Sequence, residues 1–333
     1  MRDKNPLLAS MKNRKRLIKI NAKTNPNYGK TLNLLSVNEL IENGIINLDK
    51  PSGPTSHQVD SWIREIFDIK KVGHGGTLDP NATGVLPIGL GNATKVLHVL
   101  LESGKEYVGI MKLHKTIDED KIKKIMNEFI GDVYQIPPLR SAVKRTKRKR
   151  KIYYLDIIEI IEKEVLFRVG CESGTYVRTL CVDIGKKLGC KAQLSELRRT
   201  IAGNLIESES VKLQDVIDGF VFWKENNDES YIRKIIYPME KMLENIPKLV
   251  IRDSAVDAVC HGADLAIPGV VEVDTDIKKG DMVSIMTLKG EGVALGRSLM
   301  STEDIIQKDT GLCINLDRVL MKKCTYPSIW KKS

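Results

Sequence analysis

A glycine-rich segment that runs from residue 73 to residue 84 surrounds one carboxylate. It reads Gly-His-Gly-Gly-Thr-Leu-Asp-Pro-Asn-Ala-Thr-Gly, so Pro80 directly follows Asp79. Glycine permits sharp turns and a close approach of the backbone to a ligand, and proline holds the residue before it in an extended conformation. We therefore expect Asp79 to lie at a pre-shaped loop corner, where a chain can present a single acid for chemistry.

A glycine-rich loop also suggests phosphate binding. The segment lacks the Gly-x-x-x-x-Gly-Lys-Ser/Thr pattern, however, and no Gly-x-Gly-x-x-Gly follows a predicted strand. A nucleotide-hydrolysing or dinucleotide-dependent enzyme is therefore disfavoured. A second candidate acid is Asp49, which is followed by Lys50 and Pro51, although a lysine beside an aspartate is equally ordinary in a turn.

Arg178 is the candidate partner of the acid. It follows Gly174-Thr175-Tyr176-Val177, between a predicted strand and a predicted helix, and so lies near a helix start. The helix dipole favours anions at that end, so a carboxylate brought close by the fold is the more natural partner for this arginine. Pairing with Asp79 would keep the acid ionised and oriented, and a purely structural ion pair is the alternative.

Tyrosine and histidine side chains supply further candidates. Tyr107 falls on a predicted strand, where it either belongs to the core or offers a face for base stacking. His74 is the one histidine beside the candidate acid. The other four are predicted to be structural, namely His57, His98, His114 and His261.

A run of basic residues lies well inside the chain. It contains Lys144, Arg145, Lys147, Arg148, Lys149, Arg150 and Lys151. Charge runs are usually solvated, but this one leads directly into the strand-like sequence Ile152-Tyr153-Tyr154-Leu155. A basic edge anchored on a sheet suits contacts with a phosphate backbone, and the net charge of +10 also favours a polyanionic partner. Nucleic-acid binding is therefore the favoured interpretation.

Length and composition indicate a globular protein whose cysteines form no metal-binding motif. The 333 residues suffice for two domains, and hydrophobic residues form 42% of them. The six cysteines form no Cys-x-x-Cys pair and no zinc-like spacing with the histidines, so no metal is expected. Scattered thiols of this kind indicate a cytoplasmic protein. Because no apolar run approaches the roughly 20 residues that span a bilayer, no membrane contact is expected.

The elements that must position these residues alternate irregularly between strands and helices. A short apolar strand is predicted at 44–48, and Thr55 or Ser56 is predicted to cap the helix that follows. Further elements are predicted as strands at 106–113 and 164–169 and as helices at 119–129 and 177–188, the last ending at Gly189. Since no regular strand–helix–strand repeat is present, the predicted fold class is α+β, with a mixed sheet.

Composition divides the chain into four parts. Residues 1–40 are polar and basic, and are predicted to form an extension that is disordered or wraps onto something larger. Residues 41–246 carry the mixed α+β domain. Residues 247–326 have short apolar runs separated by Gly- and Asp-bearing turns, which predicts a small, mostly β domain, and residues 327–333 form a tail.

Together these motifs resemble the TruB-type pseudouridine synthases. The segment from Gly73 to Pro87 is similar to the loop that carries the catalytic aspartate of that family, which corresponds to Asp79. Four further segments match in the same order, within about 150 residues: Lys50-Pro51-Ser52-Gly53, Lys105-Glu106-Tyr107, Gly174-Thr175-Tyr176-Val177-Arg178 and Leu197-Arg198-Arg199. One such motif would be weak evidence, whereas five in order are specific.

The resemblance implies roles for the matched residues. Arg178 would pair with Asp79, and Tyr107 would stack on the target uracil. Leu197 would form an apolar wall of the base pocket. Supporting roles in the site are implied for Lys50, His74 and Tyr176, with His74 contacting the RNA or filling the space that the base vacates. The implied reaction isomerises uridine to pseudouridine and needs no metal and no cofactor.

The short basic stretch and the C-terminal domain resemble the dyskerin, or centromere-binding-factor, branch of this family. Its archaeal members are catalytic subunits of the H/ACA ribonucleoprotein, and the C-terminal domain resembles a PUA domain, an RNA-binding fold. The implied partners are rRNA, tRNA and H/ACA guide RNA, small H/ACA core proteins and an L7Ae-like kink-turn protein. A non-catalytic RNA-binding scaffold is the alternative, although a scaffold has no need of Asp79, Tyr107 and Arg178 together.

Overall fold

The computed structural model describes residues 14–137 and 146–328 of the chain. They divide into two compact units: the first takes in 46–88 and 97–235, and the second takes in 14–45, 89–96 and the residues from 236 onward. Within the described ranges no helix is long and apolar enough to cross a bilayer.

The described residues form strands and helices with the following bounds. The strands are β1 Arg16–Ile18, β2 Gly44–Lys50, β3 Val72–His74, β4 Thr83–Leu90, β5 Lys105–Leu113, β6 Gly131–Gln135, β7 Arg148–Ile161, β8 Glu164–Cys171, β9 Ala192–Ala202, β10 Leu205–Ile206, β11 Ile236–Pro238, β12 Lys248–Ile251, β13 Leu265–Ala266, β14 Val270–Asp274, β15 Met282–Thr287, β16 Gly292–Ser298 and β17 Leu312–Val319. The α-helices are α1 Val37–Asn43, α2 Ser56–Phe67, α3 Glu119–Asn127, α4 Val177–Leu188, α5 Leu213–Asn226, α6 Ile232–Ile235, α7 Asp253–Cys260 and α8 Thr302–Gln307.

A mixed sheet forms the centre of the first unit. Its strands lie in the order β2-β4-β9-β5-β8-β7-β6. Strand β5 is antiparallel to both β8 and β9, whereas β4 runs parallel to β9. The predicted apolar stripe of α4 is buried in the core that this sheet covers, through Val177, Leu180, Cys181, Ile184 and Leu188. The mixed sheet with its helices confirms the predicted α+β class.

Capping interactions define the helices that flank the candidate site. Thr55 is the N-cap of α2, and its side chain accepts a hydrogen bond from the backbone N of Gln58 in a capping box. Helix α4 ends at Gly189, which has φ 77°, the left-handed conformation that glycine adopts without strain. Both predicted caps are confirmed, while α3 ends two residues before the predicted position, at Asn127.

The second unit is mostly β, as predicted for the C-terminal residues. Its strands lie in the order β1-β14-β12-β15-β16-β17-β13, with β12 parallel to β15 and the other strand pairs antiparallel. A buried apolar core lies inside this unit and includes Val256 and Cys260 of α7 and Ile305 of α8.

Residues 14–45 belong to this second unit, and regular structure begins earlier than the sequence indicated. Strand β1 pairs with β14, and Leu17 lies opposite Val273. Lys19 Nζ donates to the carbonyl oxygens of Ile306 and Lys308, at 3.0 and 2.6 Å. The described part of the extension therefore wraps onto the C-terminal strands, one of the two outcomes predicted for it.

Candidate active site

A buried lysine holds the loop that carries Asp79, between β3 and β4. Lys50, at the end of β2, is completely buried, and its Nζ donates to the carbonyl oxygens of Pro51, Pro80 and Ala82 at 2.8, 2.9 and 2.9 Å. Burial lowers the pKa of this amine, and the negative charge of Asp79 acts in the opposite direction. Lys50 thus fixes the backbone that directly follows Asp79.

The first turn of α2 fixes the residue that precedes the acid. The buried Ser56 hydroxyl accepts a hydrogen bond from the backbone N of Leu78 at 3.0 Å and donates to its carbonyl oxygen at 3.2 Å. The backbone N of Gly53 donates to the carbonyl oxygen of Pro80 at 3.0 Å. The residues on both sides of Asp79 are therefore held by the segment that joins β2 to α2.

Arg199 of β9 holds the two ends of the same loop. Its side chain is fully buried, and the guanidinium donates to the carbonyl oxygens of Val85 and Gly76 at 2.7 and 2.9 Å. Gly84 passes so close to β9 that a Cβ there would lie 2.2 Å from the Arg199 carbonyl oxygen, and its φ is +97°. Only glycine fits this position without a shift of the backbone.

Asp79 and Arg178 form the predicted ion pair. An Nη of Arg178 donates to Asp79 Oδ2 at 2.5 Å, and the two side chains are 58% and 56% exposed. An ion pair this exposed stabilises a fold by at most about 1 kcal/mol. Folding therefore gains little from the pair, whereas the orientation of the carboxylate depends on it directly.

Tyr107 and Leu197 lie in the core beneath this loop. Tyr107 on β5 is 8% exposed and belongs to the apolar cluster that contains Leu78 and Ala82, and Leu197 on β9 packs against the same cluster. Burial raises the pKa of the Tyr107 hydroxyl, against the opposing positive charge of Arg199. The structure thus brings both residues to the loop of Asp79.

His74 faces inward and contacts α2. Its Nδ1 lies 2.6 Å from Asp60 Oδ2 and its Nε2 lies 3.1 Å from Thr77 Oγ1, and the side chain is 7% exposed. The His57 ring lies 5.0 Å from the His74 ring, between centroids. His57 is therefore not isolated from the candidate site, because the first turn of α2 brings it to the end of β3, and its structural role stays a prediction.

Two loops beside Arg178 are joined by hydrogen bonds to neighbouring strands. Tyr176 is the N-cap of α4, and its backbone N and carbonyl oxygen bond to the Gln135 side chain, at 2.9 and 3.1 Å. Lys105 Nζ donates to the carbonyl oxygens of Leu100 and Ser103 and to Ser173 Oγ, at 2.8, 3.1 and 3.1 Å. These contacts anchor the turn from which Arg178 reaches Asp79.

The other candidate acid, Asp49, already has a partner. Arg198 donates to both of its carboxylate oxygens, at 3.0 and 2.9 Å, and also to Glu207. This bidentate geometry is typical of a structural ion pair. Asp49 is therefore the weaker of the two candidates.

The basic run begins strand β7. Lys147, Arg148, Lys149, Arg150 and Lys151 lie among the described residues, whereas Lys144 and Arg145 lie outside them. Strand β6 pairs with the basic residues 148–151 on one side of β7, whereas the register with β8 on the other side starts at Ile152. Lys147 Nζ lies 5.1 Å from the centroid of the Tyr134 ring, which is 60% exposed on β6. An exposed aromatic ring among cations is typical of surfaces on which nucleic-acid bases stack.

Sequence reasoning gave no role in the site to four side chains that position it. Lys105 and Arg199 lie inside matched motifs, Ser56 was considered only as a helix cap, and Gln135 lies outside the motifs. The available signal was the alternation of a strand, which places Arg199 between the apolar Leu197 and Ile201 on one face. Such a residue must find buried partners.

Family models match consecutive parts of the chain. Residues 64–177 match the TruB family pseudouridylate synthase (N terminal domain), and residues 178–244 match the tRNA pseudouridylate synthase B C-terminal domain. Residues 247–320 match a PUA domain, and residues 4–60 match the DKCLD (NUC011) domain.

Relatives and solved structures are similar over nearly the whole chain. Probable tRNA pseudouridine synthase B of Methanopyrus kandleri is 50% identical over 98% of this chain and 97% of its own length. The Thermococcus kodakarensis protein of the same name is 53% identical over 93% and 92%. The crystal structure of a Cbf5-Nop10-Gar1 complex matches with a TM-score of 0.90 and 50% identity, over 96% of this chain and 98% of that one. With five ordered motifs and matches of this extent, the chain belongs to the TruB family of pseudouridine synthases.

Proposed function

We propose that the chain isomerises uridines in structured RNA with Asp79 as the catalytic residue. The observation that carries this proposal is the contact of Asp79 with Arg178. Lys50, Ser56 and Arg199 hold the loop on which Asp79 lies. The reaction breaks the N1–C1′ bond of the uridine, turns the base and forms a C5–C1′ bond. The hydrogen on C5 leaves to solvent, and N1 gains a proton.

The carboxylate has three chemically reasonable first steps. It can attack C1′, as a retaining glycosidase carboxylate does, add to C6 of the uracil, or remove a proton from the ribose. In each case the base must first leave its stack. Tyr107, which is 8% exposed, then stacks on the uracil, Leu197 lines the pocket, and Arg178 directs the carboxylate at the sugar.

RNA substrates and partners follow from the relatives. One solved neighbour, 47% identical with a TM-score of 0.89, is the structure of an H/ACA RNP bound to a substrate RNA containing 2'-deoxyuridine. We propose the same setting for this chain: guide-directed modification of rRNA together with small core proteins of the Nop10 and Gar1 kind and an L7Ae-like kink-turn protein. Direct modification of the TΨC arm of tRNA is the second candidate, since the curated relatives are named tRNA pseudouridine synthase B.

The proposed location is the cytoplasm of an archaeal cell. All six cysteines are free, and four of them are buried. Free thiols are typical of a reducing compartment. The relatives named above come from archaea.

Substitution of the acid tests the catalytic assignment. Asp79→Asn should abolish tritium release from C5-labelled uridine and leave RNA affinity nearly unchanged, because the amide keeps the shape of the side chain without its charge. Asp49→Asn is the matched control, since Asp49 has a different arginine partner. Near-wild-type release by Asp79→Asn would contradict the assignment.

The choice of RNA is a separate experiment. The chain is incubated with a tRNA transcript, and separately with guide RNA, an rRNA fragment and the partner proteins, and pseudouridine is measured in each. Product in the second mixture alone would establish guided modification, and product in the first would establish tRNA modification without a guide.

A further inference from the structure

Two imidazoles and a carboxylate converge beside the loop of Asp79, and the proposed reaction uses none of their charges. His57 and Asp60 lie on the first turns of α2, and His74 lies at the end of β3. The Nδ1 atoms of His57 and His74 lie 3.8 and 2.6 Å from Asp60 Oδ2, and one ligand atom from each residue lies within 4.8 Å of the others. The sequence gave no such indication, because the third residue comes 14 positions after the second.

We propose that His57, Asp60 and His74 form a binding site for a divalent transition metal ion such as Zn²⁺. Two imidazole nitrogens and one carboxylate oxygen are a donor set that Zn²⁺ favours, and a water molecule would complete four ligands. Zinc bonds of about 2.0–2.2 Å in a tetrahedron hold ligand atoms about 3.4 Å apart. The Asp60–His74 contact must therefore lengthen and the Asp60–His57 contact shorten, each by less than an ångström.

The burial of the three side chains suits a site with one adjustable ligand. His74 and Asp60 are 7% and 13% exposed, so the surrounding structure holds them, whereas His57 is 83% exposed and has solvent on most of its side chain. Within the described ranges, Asp60 Oδ1 is buried and has no hydrogen-bond partner. A buried carboxylate oxygen without a partner is costly, and a cation on Oδ2 of the same carboxylate would offset part of this cost by neutralising its charge.

Thr77 supplies the outer partner that metal-bound histidines require. Its Oγ1 lies 3.1 Å from His74 Nε2. With the Nε2 proton donated to this hydroxyl, the Nδ1 lone pair points at the proposed ion. A hydrogen bond to the distal ring nitrogen is the usual way in which a protein sets the tautomer and orientation of a histidine ligand.

Binding would join α2 to the loop that carries Asp79. His74 precedes the acid by five residues, and Thr77 precedes it by two. A bound ion would therefore raise the thermal stability of the chain, since it binds the folded and not the unfolded arrangement of the three residues.

Direct binding measurements on the full chain test the site. Zn²⁺ is titrated by calorimetry, and Co²⁺ by its visible absorption, which reports nitrogen and oxygen ligands. We expect one ion per chain at this site and a rise in Tm with Zn²⁺. His57→Gln should weaken binding about a hundredfold and remove the rise in Tm, and Thr77→Val should weaken binding about tenfold, as is usual for a lost outer partner.

Two control variants separate this site from ordinary surface binding. His261 and Asp257 form a two-residue pair at 3.4 Å in the second unit, so His261→Gln should leave the affinity unchanged. Cys324 is an exposed thiol, so Cys324→Ser should also leave it unchanged. Wild-type affinity in His57→Gln, or loss of binding in either control variant, would overturn the proposal. His57 is exposed, so His57→Gln should fold normally.

Discussion

The carbonyl oxygen of Gly76 accepts a hydrogen bond from the buried guanidinium of Arg199 at 2.9 Å. The carbonyl oxygen of Pro80 likewise accepts a hydrogen bond from the buried amine of Lys50, 30 positions earlier in the chain. Both cations bind backbone oxygens and leave the Asp79 carboxylate to the exposed Arg178. The loop thus separates two tasks: buried positive charges hold its shape, and an exposed one orients its acid.

Removal of the exposed Arg178 charge should lower the reaction rate without lowering the stability of the fold. Arg178→Gln should lower the single-turnover rate on saturating RNA on the order of a hundredfold, as expected for loss of a positioned charge-stabilising donor. Arg178→Lys should retain part of the rate, because it keeps the charge without the guanidinium geometry. Tm should change little in both variants, since the pair is exposed. A fall in Tm that parallels the fall in rate would indicate a structural role.

Removal of the buried lysine should affect both stability and rate. Lys50→Met leaves the carbonyl oxygens of Pro80 and Ala82 without their buried donor, which should lower the free energy of unfolding by about 2 kcal/mol. The turnover rate should fall as well, because these residues directly follow Asp79. Urea denaturation and single-turnover kinetics measure the two effects. Lys70 is exposed, so Lys70→Met is the control. An equal loss of stability and turnover rate in Lys70→Met would contradict the interpretation.

Lys105 should make stability depend on pH. Burial, assisted by the positive charge of Arg199, lowers the pKa of Lys105 from 10.5 to about 8. Between these values the unfolded chain binds more protons than the folded chain, so this residue adds stability as pH rises from about 8 towards 10.5. The unfolding free energy of the wild type should therefore increase relative to Lys105→Met between pH 7.5 and pH 9.5, in urea titrations at the two values. Lys112→Met, half exposed on the same strand, is the control, and an equal trend there would count against the assignment.

The basic start of β7 should set the salt dependence of RNA binding. Lys151→Gln should reduce the slope of log affinity against log salt concentration by about 0.7–0.9, the value for one lost phosphate contact. Filter binding between low and moderate salt measures the slope. Lys123→Gln on α3, whose amine pairs with Glu119, is the comparison. An unchanged slope in Lys151→Gln would remove this strand from the RNA-binding surface.

The sequence indicated the residues proposed to react better than it indicated the residues that hold them in place. Asp79 and Arg178 are 99 positions apart, and their residue types left the partner of Arg178 open, but the resemblance of the ordered motifs implied the pair, and the structure contains it. The partners of Lys50 and Arg199 were not predictable, because the carbonyl that a buried cation meets depends on strands up to 114 positions away. The proximity of His57 to His74 was missed for the same reason, since only the packing of β3 against α2 brings the two rings together.

Local patterns predicted the helix ends well, and the N-terminal residues poorly. Thr55 and Gly189 are caps whose preference is set by nearby backbone groups. Strand β1 has no such signal: its three residues are exposed, and it pairs with the sheet edge through backbone hydrogen bonds that any polar sequence can make. Edge pairing of this kind depends on an available partner strand and not on hydrophobic periodicity.

The anchored loop has a further consequence for how RNA-binding energy is used. Because Lys50, Ser56 and Arg199 order the loop when the chain folds, its conformational entropy is lost before any RNA arrives. Contacts with the RNA then need not organise the acid. Their free energy is available to unstack the target nucleotide and turn it toward Asp79, a distortion of the substrate that costs a few kcal/mol.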